Sequence, residues 1–394
     1  MIRHRTAVLS FVLLAVASAC GRDGVPGITA VLGDDAPVAI DVSPATASLA
    51  PGATQQFSAT VQMRSGRIIS HAPVQWSTAD PAVATVNGSG LVTAVSIGTT
   101  DVRAAFANDT GTAVVHVEVV LRNVIIFTND SNRFGDIAVM NPDGSGRRFL
   151  TTDGGGYASP IISPDGRRVA FMAWNGHNWD LDLMDADGSH QSLLVHRSDF
   201  DNAPAWSPDG SQIAFSSMID GPYGEYGRIF VINVDGTGLH QVSPEETDPT
   251  VYSYDGGSSW SPDGKRIAFS RNGRVHVVNV DGTGLTPLPV GADYPAWSPD
   301  GTRLALDATA GDGISHIWVS NADGTNAVVV TNPSIQDNTP RWSPDSRRIV
   351  FNRVTSDYTF EIVVMNADGT GQVVVSHNTD PRVSDGWPSW SPLP

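Results

Sequence analysis

Pro204-Ala205-Trp206-Ser207-Pro208-Asp209-Gly210 returns along this chain with small changes. Before it stands Pro160-Ile161-Ile162-Ser163-Pro164-Asp165-Gly166, and after it come Ser258-Ser259-Trp260-Ser261-Pro262-Asp263-Gly264 and Pro295-Ala296-Trp297-Ser298-Pro299-Asp300-Gly301. Pro340-Arg341-Trp342-Ser343-Pro344-Asp345-Ser346 and Pro388-Ser389-Trp390-Ser391-Pro392 complete the set. A second phrase interleaves with the first: Asp-Gly pairs beginning at 143, 187, 235, 281, 323 and 368, spaced 42 to 48 residues apart, each following an apolar run such as Ile229 to Val234. A fixed period of this length is the mark of a repeat architecture in which one supersecondary unit recurs.

Each repeat divides into four short strands, a to d. They are the Trp-Ser segment, a run such as Arg266 to Ser270, a run such as Val275 to Val280, and a short outer strand. Pro-Asp-Gly turns a into b, since proline presets φ, aspartate bonds the backbone ahead of it and glycine accepts positive φ. Asn/Asp-x-Asp-Gly turns c into d. Four-stranded units of this length are β-propeller blades. The array opens at a b strand, Val124 to Thr128, and stops at an a strand with Trp390 and Ser391, so each end supplies what the other lacks. Pairing of the two ends predicts a six-bladed ring over residues 122–394 without exposed sheet edges. Trp206, Trp260, Trp297, Trp342 and Trp390 share one offset, with Ile162 as the sixth member, and are expected as core between blades. Burial of about 200 Å² each is worth up to roughly 5 kcal/mol apiece.

These repeats resemble the TolB-like β-propeller family and the related propellers that cap prolyl-oligopeptidase-type enzymes, over residues 122–394. That resemblance implies a binding scaffold, because the catalytic relatives carry a separate α/β-hydrolase domain with a Gly-x-Ser-x-Gly elbow, and neither is present in this sequence. TolB proteins carry a small α/β domain ahead of the propeller, whereas a different module stands there in this chain.

Residues 38–120 read as that module. Runs such as Phe57 to Val61, Leu91 to Val95 and Val114 to Val120 alternate between Pro-Gly, Asn-Gly and Gly-Thr turns, the pattern of an antiparallel sandwich. The segments Val74-Gln75-Trp76-Ser77, Asp80-Pro81-Ala82-Val83-Ala84-Thr85-Val86 and Gly90-Leu91-Val92-Thr93-Ala94 resemble the bacterial immunoglobulin-like domain, group 2. Membership implies that Trp76 is a core residue and that the module acts as a spacer. The expected fold class is therefore all-β throughout.

The start of the chain carries an address. Arg3 and Arg5 precede an apolar run from Ala7 to Ala19 that is too short to span a bilayer, so residues 1–19 are expected as a signal peptide. Cys20, the only cysteine, follows Ala17-Ser18-Ala19 and resembles the modified cysteine of bacterial lipoproteins. The resemblance implies cleavage before Cys20, lipid on its sulfur, and a Gly-, Asp- and Pro-rich tether through residue 37, with the lipid as the membrane attachment. A cell-envelope location follows, at the periplasmic face or outer surface of the outer membrane.

Formal charge is −17 and the sole lysine is Lys265, which argues against nucleic acid as a partner. No cofactor or metal is expected. Asp185-x-Asp187-Gly188 has the look of a calcium loop, but the bidentate glutamate is missing and every repeat carries a similar turn. His177, His190 and His196 fall on different predicted elements.

Alternating strand direction places the b-to-c and d-to-a connections at one mouth, where the repeats differ most. That mouth would carry Trp174, His177 and Trp179, then Tyr223 and Tyr226, then Tyr252 and Tyr254 on the loop from 243 to 257. Rigid aromatic anchors on unequal loops suit partner binding. Asp201, Asp255, Asp337 and Asp385 share one offset before strand a, with Asp293 one position later, and would form a carboxylate ring at the same mouth or serve as turn bonds. The expected function is non-enzymatic binding of an envelope protein or peptide. A glycan is the alternative ligand, and a metal-dependent polysaccharide lyase or hydrolase-related propeller a third possibility.

Overall fold

The computed structural model describes residues 35–131, 135–196, 201–221, 224–245, 253–309, 311, 313–378, 380 and 382–391. The expected signal peptide, Cys20, Tyr223 and Tyr252 lie outside them. The chain divides into two compact units, the first ending at Glu118 and the second beginning at Val119.

In the first unit, Gly98–Phe106 and Asp109–Val117 form a long hairpin that pairs further with Gln75–Thr78, while Pro37–Ser43, Ser58–Met63 and Ile68–Ser70 form a separate sheet. Val42, Phe57, Val92, Val102 and Val115 are buried together, and Trp76 packs against them. One pair departs from the antiparallel expectation: Thr46–Leu49 runs parallel to Val114–Val117. Pro44 supplies no N–H and so ends the ladder of the opening strand, and the chain then changes sheet and arrives beside the last strand in its direction.

The second unit holds six four-stranded antiparallel sheets among the described residues. Sheet 2 shows the common plan, with Tyr157–Ile162, Arg168–Trp174, Trp179–Asp185 and Ser192–Val195 paired in sequence order. The a strands of sheets 3 to 6 are Asp201–Trp206, Asp255–Trp260, Asp293–Trp297 and Asp337–Trp342. Sheet 1 is assembled from both ends: Asp385–Trp390, from the end of the chain, pairs with Ile125–Asn129, which continues to Asp136–Met140 and Arg148–Phe149.

Turn chemistry explains why the strands begin and end where they do. In the four Ser-Pro-Asp-Gly turns the serine hydroxyl donates to the aspartate at 2.6 Å, as in Ser207 to Asp209, and Ser343 does the same to Asp345 in the Ser-Pro-Asp-Ser turn. Asp209 also accepts the Ser211 N–H, and Ser207 Oγ accepts the Gln212 N–H, which fixes the start of strand b. The c-to-d turns work alike: Asp235, Asp281, Asp323 and Asp368 each accept a threonine hydroxyl two residues on. Asp187 accepts both the N–H and the hydroxyl of Ser189, so this aspartate of the calcium-like phrase is spent on its hairpin.

The core lies between sheets. Phe215, Phe230 and Trp206 of sheet 3 are buried with Met172 and Leu181 of sheet 2, and equivalent clusters join each sheet to the next. The cluster of Ile125, Phe127, Val350, Ile362 and Trp390 joins sheet 6 to sheet 1. All five repeated tryptophans are 6–7% exposed. Trp206, Trp260 and Trp342 donate their indole N–H to the a strand of the preceding sheet at 3.0–3.1 Å. An arginine from that preceding sheet also lies over the ring in four cases, Arg303 over Trp342 at 4.5 Å and Arg348 over Trp390 at 4.8 Å being the closest. Such contacts add stacking attraction to simple burial.

Candidate functional site

The six a strands contact one another in cyclic order, Asp337–Trp342 touching Asp385–Trp390, which touches Tyr157–Ile162. Each carries the same irregularity. Pairing to strand b shifts register between Ala158 and Ile161, Asn202 and Ala205, Gly256 and Ser259, Asp293 and Ala296, and Asn338 and Arg341, with a matching shift opposite Gly386 and Ser389. In each bulge the residue three places before the tryptophan position has positive φ, between 45° and 64°: Ser159, Ala203, Gly257, Tyr294, Thr339 and Trp387. Left-handed backbone costs an ordinary residue about 1 kcal/mol or more, and bulges re-aim the side chain they carry.

Those re-aimed residues meet. Ser159, Ala203, Tyr294, Thr339 and Trp387 all line one cavity of about 260 Å³, together with Pro160, Pro204, Pro388, Trp179, Met172, Asp201, Asn202 and Arg341. The wall thus combines aromatic faces, small polar groups and the guanidinium of Arg341. Burial raises the Tyr294 hydroxyl above the ordinary tyrosine pKa, with Tyr254, Asp307 and Asp293 adding to the shift. Thr339 donates its N–H to Asp307 at 3.3 Å, which ties the bulge of sheet 6 to strand b of sheet 5.

Sheet 4 contributes glycine at the bulge because its neighbour leaves no room. A Cβ on Gly257 would stand 2.9 Å from Tyr294 Cα and 3.0 Å from its Cδ1. The backbone angle alone is tolerated by other residues at this offset, so the clash decides the outcome. Gly257→Ala is expected to lower stability by about 1–3 kcal/mol and to displace the Tyr294 ring; a melt together with ligand capture by the variant measures both.

The sequence-predicted candidates separate into groups. Trp179 and Asp201 line the cavity, and Trp174 packs against Trp179 with ring centroids 5.6 Å apart. His177 is exposed at the tip of that hairpin, where its N–H bonds Asn175 Oδ1. Tyr254 is 38% exposed, whereas Tyr226 is buried beneath Arg228, which lies 5.3 Å from its ring centre. Asp293 is exposed.

The carboxylate ring needs correction. Asp201, Asp255, Asp337 and Asp385 have no exposed surface, so they present no open ring of charge at a mouth. Arg271 grips Asp255 through two bonds of 2.6 Å, Arg353 grips Asp337 at 2.8 and 2.9 Å, and Arg147 grips Asp385 at 2.8 and 2.9 Å. A buried carboxylate is stable when paired in this way, and Asp255, Asp337 and Asp385 serve the blades.

Sequence reasoning missed Tyr294, Trp387, Arg341, Ser159 and Thr339. A signal existed one residue outside the repeated phrase: the position three before the tryptophan holds Ser, Ala, Gly, Tyr, Thr and Trp in turn, while the position after it is proline in five of the six repeats.

Two carboxyls of the second unit, buried Asp307 and half-buried Asp182, titrate away from the ordinary range. Burial, with Asp293 adding to it, raises Asp307 to about 6, and burial, with Asp180 adding to it, raises Asp182 to about 6. Folded values above the ordinary 3.8 mean that both groups favour the fold most at low pH and lose that contribution as pH rises through about 6. Asp307→Asn and Asp182→Asn should therefore gain melting temperature over the parent at neutral pH and gain little below the ordinary carboxylate pKa, which paired melts at the two pH values check.

Six four-stranded sheets whose cores lie between them, with their first strands bulged around a shared cavity, have the architecture of a β-propeller. The chain belongs to the TolB β-propeller family: residues 120–393 match the family described as TolB beta propeller domain. Residues 38–118 match the bacterial Ig-like domain, group 2, as the sequence segments around Trp76 suggested. Among solved structures, TolB from Acinetobacter baumannii is similar at 13% identity, covering 82% of this chain and 84% of that one with a TM-score of 0.57. A putative TolB from Agrobacterium tumefaciens is similar at 19% identity, covering 64% and 88% with a TM-score of 0.52. Ice-binding protein 1 of Shewanella frigidimarina (strain NCIMB 400) is 34% identical over 101 residues, 25% of this chain and 11% of that protein, so the match spans only a small part of its length.

Proposed function

We propose that this chain is a non-catalytic binding protein of the bacterial cell envelope, lipid-anchored at Cys20, whose six sheets form one closed ring that takes a protein or peptide ligand into its channel. The observation that carries this is the cavity itself: five of the six bulge residues converge on it, bringing aromatic and polar side chains from different sheets to one place. Closure is supported by the pairing of Ile125 with Trp390 and Asn129 with Asp385, and by the buried cluster joining sheet 6 to sheet 1. Tyr and Trp anchors on a rigid scaffold bind at small entropic cost. Trp174, Trp179, His177 and Tyr254 extend the contact surface, and the loops carrying Tyr223 and Tyr252 belong to the same proposal.

A glycan is the second ligand class, favoured by the aromatic faces of Trp179, Tyr294 and Trp387 on one wall. A glycan array set beside a pull-down from envelope extract separates the two. The Tyr294→Ala/Trp387→Ala variant is expected to keep its melting transition and lose the captured protein. Undiminished capture, or binding on the array alone, contradicts the proposal.

A further inference from the structure

We propose that Arg341 is a carboxylate anchor, so that the ligand presents a peptide carboxylate, either a free C-terminus or an acidic side chain, into the cavity. The inference rests on the peptide-binding function above and adds the chemistry of the group that enters first.

Arg341 stands two residues after the bulge residue Thr339 and lines the cavity beside Tyr294 and Trp387. Of its five N–H donors only one is engaged, Nη1 donating to the carbonyl of Pro340 at 3.0 Å. Among the described residues no carboxylate stands within ion-pair distance of it. Arg148, Arg274 and Arg347 also lack such a partner but are exposed, whereas Arg341 is largely covered. Arg147, Arg271 and Arg353 are each bound to a buried aspartate, Arg228 reaches Glu245 at 3.1 Å, and Arg168, Arg266, Arg303 and Arg348 lie over tryptophans. The side chain is surrounded by protein yet keeps accessible surface, as a group facing a cavity does. Burial lowers its pKa from the ordinary value, the mark of a cation stripped of water without a counter-charge to repay it.

A planar guanidinium with free donors matches a carboxylate through two parallel hydrogen bonds, and no monovalent contact satisfies it as well. The chain as a whole carries a formal charge of −17, so an anion is repelled everywhere except where a local cation outweighs the field, and Arg341 makes the cavity such a place. Asp201, on the same wall, is fully buried, and it forms no ion pair with Arg341. A tripeptide end is the right scale for about 260 Å³, with the flanking side chains resting on Tyr294 and Trp387.

The test uses the full chain and three pools of N-acetylated tripeptides of mixed sequence: neutral with a free C-terminal carboxylate, amidated with one Asp or Glu, and amidated and neutral. Saturation-transfer NMR reads binding of each pool to the parent, to Arg341→Gln and to Arg341→Lys. The first or second pool, or both, is expected to bind at least tenfold better than the neutral amides, with the preference lost in Arg341→Gln and partly kept in Arg341→Lys; which pool binds identifies the source of the carboxylate. Equal binding of all three pools, or a preference that survives Arg341→Gln, overturns the anchor while leaving peptide binding in place. Binding of none of the pools also overturns it, and because capture from envelope extract is scored independently with the Tyr294→Ala/Trp387→Ala variant, that failure is distinct from failure of the function. Preference for an oligouronide over every peptide pool overturns the peptide source.

Discussion

Cutting the chain after Val383 is expected to yield a second unit that no longer melts as one cooperative body. The lost strand, Asp385–Trp390, completes sheet 1 through its pairing with Ile125–Asn129, and it carries Trp390, one member of the buried cluster between sheets 6 and 1. Removing the indole of a buried tryptophan costs about 3–5 kcal/mol by itself. The cut also exposes the edge of Ile125–Asn129, all of whose residues are buried in the intact protein, and it frees the Val124 N–H that Ser391 Oγ accepts at 2.8 Å. Total stability of a domain is about 5–15 kcal/mol, so the loss is comparable to the whole. Calorimetry should show a broadened, lowered transition for the second unit and aggregation on heating, and addition of the missing segment as a synthetic peptide should restore part of the parent transition. A truncated chain with the parent transition would mean that the terminal strand is an appendage.

Arg271→Met is expected to be the most damaging single substitution among the charged residues. Asp255 has no exposed surface and is held by two bonds of 2.6 Å from Arg271, whose Nη2 also donates to the Pro244 carbonyl. Loss of the guanidinium leaves a carboxylate that is neither hydrated nor paired, a situation that costs about 3–5 kcal/mol. The transition should fall by about 10 °C for a unit of this size. Asp255→Leu combined with Arg271→Met removes both charges together and should recover most of the loss, because the attraction within a buried pair roughly offsets its desolvation. The contrast is Arg382 and Asp380, an exposed pair at 2.8 Å, where Arg382→Ala should leave melting unchanged. A double variant no better than Arg271→Met alone would show that the loss comes from packing around the arginine stem.

The fold was legible because the turns are written in side-chain chemistry. Ser, Pro, Asp and Gly in fixed order specify a hairpin wherever they fall, and the tryptophan beside them needs burial, so family and strand plan both follow from the phrase. The parallel pair of the first unit was not legible, since nothing in Thr46–Leu49 tells which sheet the chain joins after Pro44.

The site was legible only in part, for two physical reasons. A bulge is a property of pairing between strands, and no residue type announces it: the six bulge positions hold five L-residues of unrelated chemistry and one glycine. Charge pairing is likewise a three-dimensional fact. Asp255 with Arg271 and Asp337 with Arg353 are each separated by sixteen residues, a coincidence visible in the sequence, but Asp385 meets Arg147 across 238 residues. The aspartates at a repeated offset read equally as a ligand ring or as internal bonds, and Asp255, Asp337 and Asp385 are held internally by arginines.

The most direct measurement places a photoreactive p-benzoylphenylalanine at Trp387, inside the cavity, and in a second chain at Val328, on the exposed outer strand of sheet 5. Illumination in envelope extract should crosslink one partner from position 387 and leave position 328 empty. Crosslinking of that partner from position 328 with none from 387 would contradict binding through the channel.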